Sequence, residues 1–206
     1  MSYFPMFVEL GGASCLVAGG GRVALHKVKV LQEFGARVTV VADRILPELK
    51  AADGVNCRER RFLPEDINGQ KLVVAATDDP ALNRRISLLC KEARIPVNAV
   101  DQAEDCSFIF PAYLKEQEVV AAFSSGGQSP VVAQYLKEQM RPVLTELLGE
   151  LAMQLGRLRK QVKQSVPEQD RKEVYRAILQ RGLKQQALLS EEEIRTITGG
   201  ETECRE

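Results

Sequence analysis

A glycine-rich turn near the amino terminus constrains the fold of this chain more than any other feature. Residues 15–18 read as a short buried strand, and residues 23–34 have helical character. Gly19, Gly20 and Gly21 stand between them. Counted from Gly19, the sequence follows the pattern G-x-G-x-x-A, which is the dinucleotide-binding fingerprint with alanine at its third small position.

Each small residue of this pattern has its own physical role. Gly19 permits a tight turn, Gly21 leaves room for the backbone to approach a pyrophosphate, and Ala24 lets the helix pack closely on the strand. The first N–H groups of the helix then face the anion, with the positive end of the helix dipole behind them. The pattern predicts a nucleotide site, and the alternative is a bare structural turn.

A second predicted strand, at residues 36–42, supports the nucleotide site. Asp43 follows that strand about 20 residues beyond the fingerprint, where a carboxylate can accept hydrogen bonds from a ribose. The neighbouring Arg44 can instead hold a 2′-phosphate. These residues favour NAD over NADP and leave the choice open.

The strand–helix alternation continues through residue 100. Further strands are predicted at residues 55–60, 72–76 and 95–100. The run at 72–76 is apolar throughout, as expected for a parallel strand that is covered on both faces. The alternation predicts an α/β fold with a doubly wound parallel sheet, and Thr77 follows a strand at the edge where such sheets bind ligands.

The pattern changes after residue 101. Residues 107–111 and 118–124 predict an antiparallel strand pair. Residues 124–130 place serines and glycines ahead of a predicted helix, which makes a second candidate anion-binding turn. Leucines at helical spacing between positions 144 and 158 predict a long helix. Its apolar stripe packs in a core or, alternatively, against a second subunit.

Composition narrows the classes of partner. The chain has 28 basic and 28 acidic side chains, which gives no reason to expect nucleic acid or a membrane surface as a partner. No apolar run reaches transmembrane length, and the first residues lack the features of a signal peptide. The five cysteines are odd in number and form no C-x-x-C pair, and His26 is the single histidine. We therefore expect a cytoplasmic protein without a disulfide framework or a metal centre.

Asn98 and Asp101 mark the end of another predicted strand at the ligand-binding edge. Asp101 offers a carboxylate for proton transfer, and Asn98 can orient a ligand by hydrogen bonding. The alternative for Asp101 is a turn or cap role.

Five segments together resemble a known family. They read G-G-G-x-V-A-x-x-K, A-A-T-D-D, N-x-V-D, S-F-I-x-P and S-S-G-G-x-S-P, at residues 19–27, 75–79, 98–101, 107–111 and 124–130. In this order they resemble the precorrin-2 dehydrogenase/sirohydrochlorin ferrochelatase family, which forms the N-terminal module of siroheme synthase. The helical remainder of the chain is only broadly similar to that family.

The resemblance implies an activity. In that family precorrin-2, a partly reduced tetrapyrrole rich in carboxylates, is oxidised by NAD⁺ to sirohydrochlorin. In some members the same cleft then inserts Fe²⁺, as a substrate, to give siroheme. Two alternatives stay open: a dehydrogenase that works with a separate chelatase, and a binding module that senses NAD without catalysis.

The resemblance also implies roles for individual residues. Asp101 matches the catalytic aspartate and would assist proton removal as the hydride leaves. The fingerprint and the resemblance together give the predicted cofactor-binding residues: Gly19, Gly21, Arg22, Val23, Asp43, Arg44 and Thr77. The predicted substrate-binding residues are Asn98, Ser125, Gly126 and Gly127.

Members of this family are dimers whose middle segment exchanges between subunits. The resemblance therefore implies a Rossmann-like NAD-binding domain at 1–112, a small α+β dimerisation segment at 113–150 and a helical C-terminal domain at 151–206. The expected partners are a tetrapyrrole and a second copy of the chain.

Overall fold

The computed structural model describes residues 3–199. The chain divides into two compact units, with the boundary after Phe110. The first unit carries the parallel sheet, and the second carries a hairpin and four helices.

The first unit contains a five-stranded parallel sheet. Its strands are β1 (Ser14–Ala18), β2 (Arg37–Ala42), β3 (Val55–Glu59), β4 (Leu72–Ala75) and β5 (Val97–Ala99), and its helices are α1 (Arg22–Glu33), α2 (Pro47–Lys50) and α3 (Pro80–Glu92). The strand order is β3-β2-β1-β4-β5, and every pairing is parallel. The predicted Rossmann-like, doubly wound sheet is confirmed, and its strand order reverses between β1 and β4.

Two apolar layers hold this sheet between its helices. Val17 and its neighbours on one face pack against Val28 and Leu31 of α1. Leu16 on the other face packs with Ile86 of α3. Because β1 is covered on both faces, its continuous apolar sequence follows directly from its central position.

The second unit begins with an antiparallel hairpin. Its elements are β6 (Ala112–Glu116), β7 (Val119–Phe123), α4 (Pro130–Met140), α5 (Glu146–Ser165), α6 (Arg171–Gln185) and α7 (Glu191–Thr198). The hairpin was predicted, but the position of its first strand at 107–111 is wrong. Ser107 instead bonds to β5, where its N–H donates to the Val97 carbonyl at 2.8 Å. Phe108 and Phe110 pack against the core of the first unit.

The leucine stripe of α5 lies in the core of the second unit. Leu151 is fully buried and packs with Ile178, Leu189 and Ile194 from the following helices. This packing confirms the core interpretation of the stripe.

The boundary predicted at 150/151 falls within α5, and residues 200–206 of the predicted helical domain lie outside the described residues. The division into three domains stays a prediction. Among residues 3–199, none of the helices combines the length and the apolar character that a membrane span requires.

A buried carboxylate fixes the turn that leads from β3 toward β4. The Asp66 side chain is 3% exposed and accepts hydrogen bonds from Arg60 at 2.6 and 2.8 Å and from the Leu63 N–H at 2.9 Å. These bonds, chiefly those from Arg60, lower the pKa of Asp66. A lowered pKa in the folded state stabilises the protein above the unfolded pKa, and this stabilisation is lost as pH falls through the folded value.

Replacing Asp66 with asparagine should therefore lower the free energy of unfolding by about 2 kcal/mol at pH 7, because partly exposed guanidinium groups lose their buried carboxylate. The difference between the two proteins should shrink as pH falls below about 4. Urea unfolding at a series of pH values measures both effects. Glu65→Gln, at an exposed neighbouring position, is the control. An Asp66→Asn protein with unchanged stability at pH 7 would contradict this account.

Candidate active site

The glycine turn between β1 and α1 is held by contacts with two neighbouring segments. Gly19 has φ 127°, and its N–H donates to the Val41 carbonyl at 2.9 Å. A methyl group on Gly19 would overlap the Ala76 carbonyl oxygen. Gly20 accepts a hydrogen bond from the Leu46 N–H at 3.0 Å, and a methyl group there would overlap backbone of the loop that follows β2. The first two glycines are therefore required by the packing of the chain itself.

Gly21 differs from the other two glycines because its environment is open. A methyl group on it would meet no atom within 4 Å, and its φ of −91° is accessible to any residue. The N–H groups of Arg22 and Val23 begin α1, where helix geometry leaves them without a partner inside the helix. The first turn of α1 contains no acidic residue. This exposed, positively polarised backbone fits a pyrophosphate.

Asp43 and Arg44 follow β2 at the same edge of the sheet, and both are exposed. The Asp43 carboxylate lies 3.6 Å from Nε of Arg61. Because both side chains of this pair are mostly exposed, the interaction is weak and leaves the carboxylate accessible to a ribose. Arg61 was not predicted, since nothing in the sequence relates position 61 to the end of β2.

Thr77 follows β4, where its polar groups are engaged by a buried asparagine. The Thr77 hydroxyl lies 2.7 Å from Oδ1 of Asn83, and the Asn83 amide donates to the Thr77 carbonyl at 3.1 Å. Asp79 begins α3, and its carboxylate accepts hydrogen bonds from the first N–H groups of that helix. These bonds fix the strand end against α3 and hold Thr77 beside the glycine turn.

Asn98 lies in β5, and Asp101 lies in the turn that follows this strand. The buried Asn98 amide donates to the Phe108 carbonyl at 3.0 Å and to Sγ of Cys106 at 3.5 Å. Cys106 also bonds to both the N–H and the carbonyl of Ala99 at 3.2 Å. Asn98 therefore holds the turn together. Asp101, at the tip of the turn, is exposed and has a left-handed backbone with φ 60°.

Lys27, on the first turns of α1, was not among the predicted site residues. Its ammonium lies 4.0 Å from the centre of the Phe110 ring. Burial lowers the pKa of Lys27, and the charges of Cys106 and Asp101 act in the opposite direction. The lysine closes the segment G-G-G-x-V-A-x-x-K, but sequence spacing alone gives no sign that it contacts the segment after β5.

The predicted substrate loop lies in the second unit. The Ser125 hydroxyl accepts a hydrogen bond from the Ser129 N–H at 2.9 Å and donates to the Ser129 carbonyl at 2.8 Å. Gly126 and Gly127 both have left-handed backbones, with φ of 66° and 84°. The Gly126 N–H donates to the Ser124 hydroxyl at 3.0 Å. Consecutive residues of this kind form a concave backbone turn that suits an anion.

Two structural observations bear on metals and on thiols. Within residues 3–199, no group of three His, Cys, Asp or Glu side chains is arranged to hold a metal ion. Burial raises the pKa of the Cys106 thiol, and that of Cys90 to about 11. Both thiols therefore stay protonated at neutral pH.

Comparisons with known proteins agree with this geometry. The chain is 43% identical over 171 residues to a siroheme synthase of Thioalkalivibrio sulfidiphilus, a match that covers 82% of this chain and 35% of that protein. It is 38% identical over 196 residues to a siroheme synthase of Azotobacter vinelandii, covering 94% of this chain and 42% of the relative. The chain thus spans well under half the length of these curated relatives. The predicted resemblance to a siroheme synthase module is confirmed.

A solved structure, "SirC, precorrin-2 dehydrogenase", shares the fold. It has a TM-score of 0.66 and 24% sequence identity, and the match covers 96% of this chain and 98% of that chain. Residues 6–112, which contain the complete parallel sheet, match the family described as "Putative NAD(P)-binding". The chain therefore belongs to this NAD(P)-binding family.

Proposed function

We propose that the chain dehydrogenates precorrin-2 to sirohydrochlorin in siroheme biosynthesis, with NAD as the oxidant. The observation that carries the proposal is the position of Asp101, an exposed carboxylate at the same sheet edge as the glycine turn. Ligands of such sheets bind at this edge, beside the point where the strand order reverses. The identity to siroheme synthases gives the substrate class.

The residues at this edge fit a dinucleotide. The open backbone at Gly21, Arg22 and Val23 would bind the pyrophosphate, with the turn at Gly19 behind it. Asp43 would accept hydrogen bonds from the ribose, and this favours NAD over NADP even though Arg44 is adjacent. Thr77 would border the cofactor from the end of β4. When bound, NAD⁺ supplies the acceptor for a hydride.

Asp101 would accept the proton of the reaction. Oxidation of precorrin-2 removes two hydrogens: one leaves as a hydride with its electron pair, and the other leaves as a proton. An exposed carboxylate at the sheet edge can take that proton and pass it to water. Asn98 would support this step because its hydrogen bond to the Phe108 carbonyl stabilises the segment that contains Asp101.

The substrate loop would bind carboxylates of the tetrapyrrole. Ser125 holds the loop closed through its two bonds to Ser129, and Gly126 and Gly127 supply the left-handed backbone. Among the described residues the Gly127 N–H donates to no other group, so it can donate to an anion. The large number of carboxylates on precorrin-2 makes such donors useful for binding.

An anaerobic assay tests the proposed function. Precorrin-2 is incubated with the protein and NAD⁺, and the absorbance of sirohydrochlorin is followed. Fe²⁺ or Co²⁺ is added afterwards, with and without protein. Protein-dependent formation of sirohydrochlorin supports the dehydrogenase, and faster metal insertion with protein adds chelatase activity. NAD⁺ binding without turnover would instead indicate a sensing module.

We further propose that the chain acts as a homodimer through α4. One side of this helix is apolar and exposed, with Val131 at 76% and Tyr135 at 61% exposure. Val132, Leu136 and Met140 of α4 are also exposed, and exposed Val143 follows the helix. A second copy would cover this side, in agreement with the dimers that the family resemblance implies.

A cytoplasmic location is proposed as well, supported by the free thiols of the four described cysteines.

A charge on the apolar side of α4 should separate the subunits. Tyr135→Glu places a carboxylate in each half of the interface, and we expect the dimer dissociation constant to rise about 100-fold. Gln134→Glu adds the same charge at an exposed position on the opposite side of α4 and is the control. Sedimentation equilibrium measures both. A wild-type monomer, or a Tyr135→Glu protein that dimerises normally, would contradict the proposed interface.

A further inference from the structure

Arg61 brings a cation to the place where the cofactor site is expected to recognise a ribose. In the parallel register of β2 and β3, Ala42 lies opposite Glu59, so the two segments leave the sheet side by side. Asp43 is the next residue after β2, and Nε of Arg61 lies 3.6 Å from its carboxylate. The side chain of Arg61 is 91% exposed and that of Asp43 is 62% exposed. The carboxylate assigned to the ribose therefore has a guanidinium beside it, and both groups are open to a ligand.

Two hydrogen bonds fix the backbone around this pair. The Arg60 guanidinium donates to the Arg61 carbonyl at 2.9 Å and is itself held by the buried Asp66 carboxylate. The Ile45 N–H donates to Oε1 of Glu59 at 3.3 Å, which ties the segment after β2 to the end of β3. The ends of these neighbouring strands are thus held together, whereas the Arg61 side chain remains exposed.

Other cations near these strand ends are held by carboxylates of the chain: Lys50, Arg58 and Arg60. Arg44 is exposed and makes no ion pair among residues 3–199. The pair between Arg61 and Asp43 is weak, because both side chains are mostly exposed. Of the described residues near these strand ends, Arg44 and Arg61 therefore offer the guanidinium groups that an anion can recruit.

The 2′-phosphate of NADP⁺ is an anion that fits this position. NADP⁺ differs from NAD⁺ by a phosphate on the adenosine ribose, and in sheets of this kind an arginine near the acidic residue accommodates it. Planar guanidinium groups form charge-assisted, often bidentate hydrogen bonds with phosphate. Asp43 by itself would repel that phosphate, and a guanidinium beside it offsets the repulsion.

We propose that Arg61 is a specificity-determining residue of the cofactor site, and that with Arg44 it binds the 2′-phosphate of NADP⁺, so that the chain accepts both dinucleotides. The inference rests on the proposed function, in which this edge of the sheet binds NAD. With NAD⁺, the Asp43 carboxylate accepts hydrogen bonds from the ribose and Arg61 is not required. With NADP⁺, the Arg61 side chain leaves Asp43 for the phosphate, because their pair is weak.

Titration calorimetry with NAD⁺ and with NADP⁺ tests the inference. We expect the wild type to bind NADP⁺ with a Kd within about tenfold of its Kd for NAD⁺. Arg61→Met should raise the Kd for NADP⁺ about three- to tenfold and change the Kd for NAD⁺ by less than about twofold. Arg37→Met removes the same charge from an exposed position at the start of β2, at the opposite edge of the sheet, and is the matched control. It should leave both dissociation constants unchanged.

Removing the charge of Asp43 provides a second measurement. Asp43→Asn should weaken NAD⁺ binding and strengthen NADP⁺ binding, each by about three- to tenfold, because the ribose loses a charged acceptor and the phosphate is no longer repelled. Arg61→Met, added to this variant, should again weaken NADP⁺ selectively. The effect of Arg61 then belongs to the phosphate and not to its pair with Asp43.

The outcomes separate this inference from the proposed function. A wild type that binds NAD⁺ but not NADP⁺, or an Arg61→Met protein in which both cofactors weaken equally or neither changes, would overturn the inference alone. A wild type that binds both dinucleotides, with the selective loss in Arg61→Met, but does not oxidise precorrin-2 would overturn the proposed function alone. A wild type that binds neither dinucleotide would overturn both.

Discussion

Alanine at Gly20 is expected to destabilise the first unit, whereas alanine at Gly21 should leave the fold intact and weaken cofactor binding. An added methyl group at Gly20 would overlap the Arg44 carbonyl oxygen and lie 2.9 Å from Cα of Ile45. Both atoms belong to backbone, which cannot move aside as the end of a side chain can. We expect the free energy of unfolding to fall by about 3 kcal/mol and Tm to fall by about 6–12 °C.

Gly21→Ala should have the opposite effects, with little change in stability and a clear loss of cofactor affinity. No atom lies within 4 Å of the added methyl group, and the backbone angles at Gly21 suit alanine. Stability should change by no more than about 1 kcal/mol, as for substitutions at a helix N-cap. The methyl group would occupy the space through which a pyrophosphate approaches the backbone, so the Kd for NAD⁺ should rise about 10- to 100-fold.

Thermal unfolding followed by circular dichroism, and titration calorimetry with NAD⁺, separate these two effects. The two variants are controls for each other, since they add the same group at adjacent positions. A Gly20→Ala protein as stable as the wild type would contradict the packing described for the glycine turn. Unchanged NAD⁺ affinity in Gly21→Ala would contradict the cofactor position.

Replacing Asp101 with asparagine should nearly abolish dehydrogenation. A general base contributes about 100- to 10 000-fold to the rate, and we expect kcat to fall within that range. Asparagine is the appropriate substitution because Asp101 has a left-handed backbone, which asparagine tolerates and alanine does not. The loss of rate then reports on the carboxylate and not on backbone strain.

The matched control is Glu104→Gln, which removes a negative charge from an exposed position of the same segment. Its kcat should stay within about twofold of the wild type, as expected for a surface change away from the reacting groups. NAD⁺ should bind to the Asp101→Asn protein with its normal affinity, because no cofactor contact is assigned to Asp101. Full activity in Asp101→Asn would show that Asp101 is not the proton acceptor of the reaction.

Much of the first unit could be predicted from the sequence because local signals and packing agree there. The continuous apolar run of β4 and the glycine turn after β1 each require a covered parallel strand. The hairpin strand was placed about five residues too early because Phe108 and Phe110 read as strand residues. Both instead pack against the core cluster of the first unit, with Phe110 beneath Lys27 of α1. An apolar residue in an irregular segment and one in a strand look alike in a short sequence window.

The candidate site was predictable only where a single segment supplies the chemistry. The open backbone at Gly21 follows from one motif, but the requirement for Gly20 arises from the return of the chain at Arg44. The contact between the Lys27 ammonium and the Phe110 ring joins residues that are 83 positions apart along the chain. No local sequence pattern could predict it. The structure therefore reveals contacts between distant segments, which the sequence motifs do not contain.

The ratio of NADH to sirohydrochlorin formed under anaerobic conditions is the sharpest test of NAD-dependent dehydrogenation by this chain. Precorrin-2 and NAD⁺ are mixed with the wild-type protein, and both products are measured from the same sample. We expect one NADH for each sirohydrochlorin, and formation of both products at least about 100-fold slower with Asp101→Asn. Sirohydrochlorin formed without NADH, or equal amounts of both products from the wild type and Asp101→Asn, would contradict it.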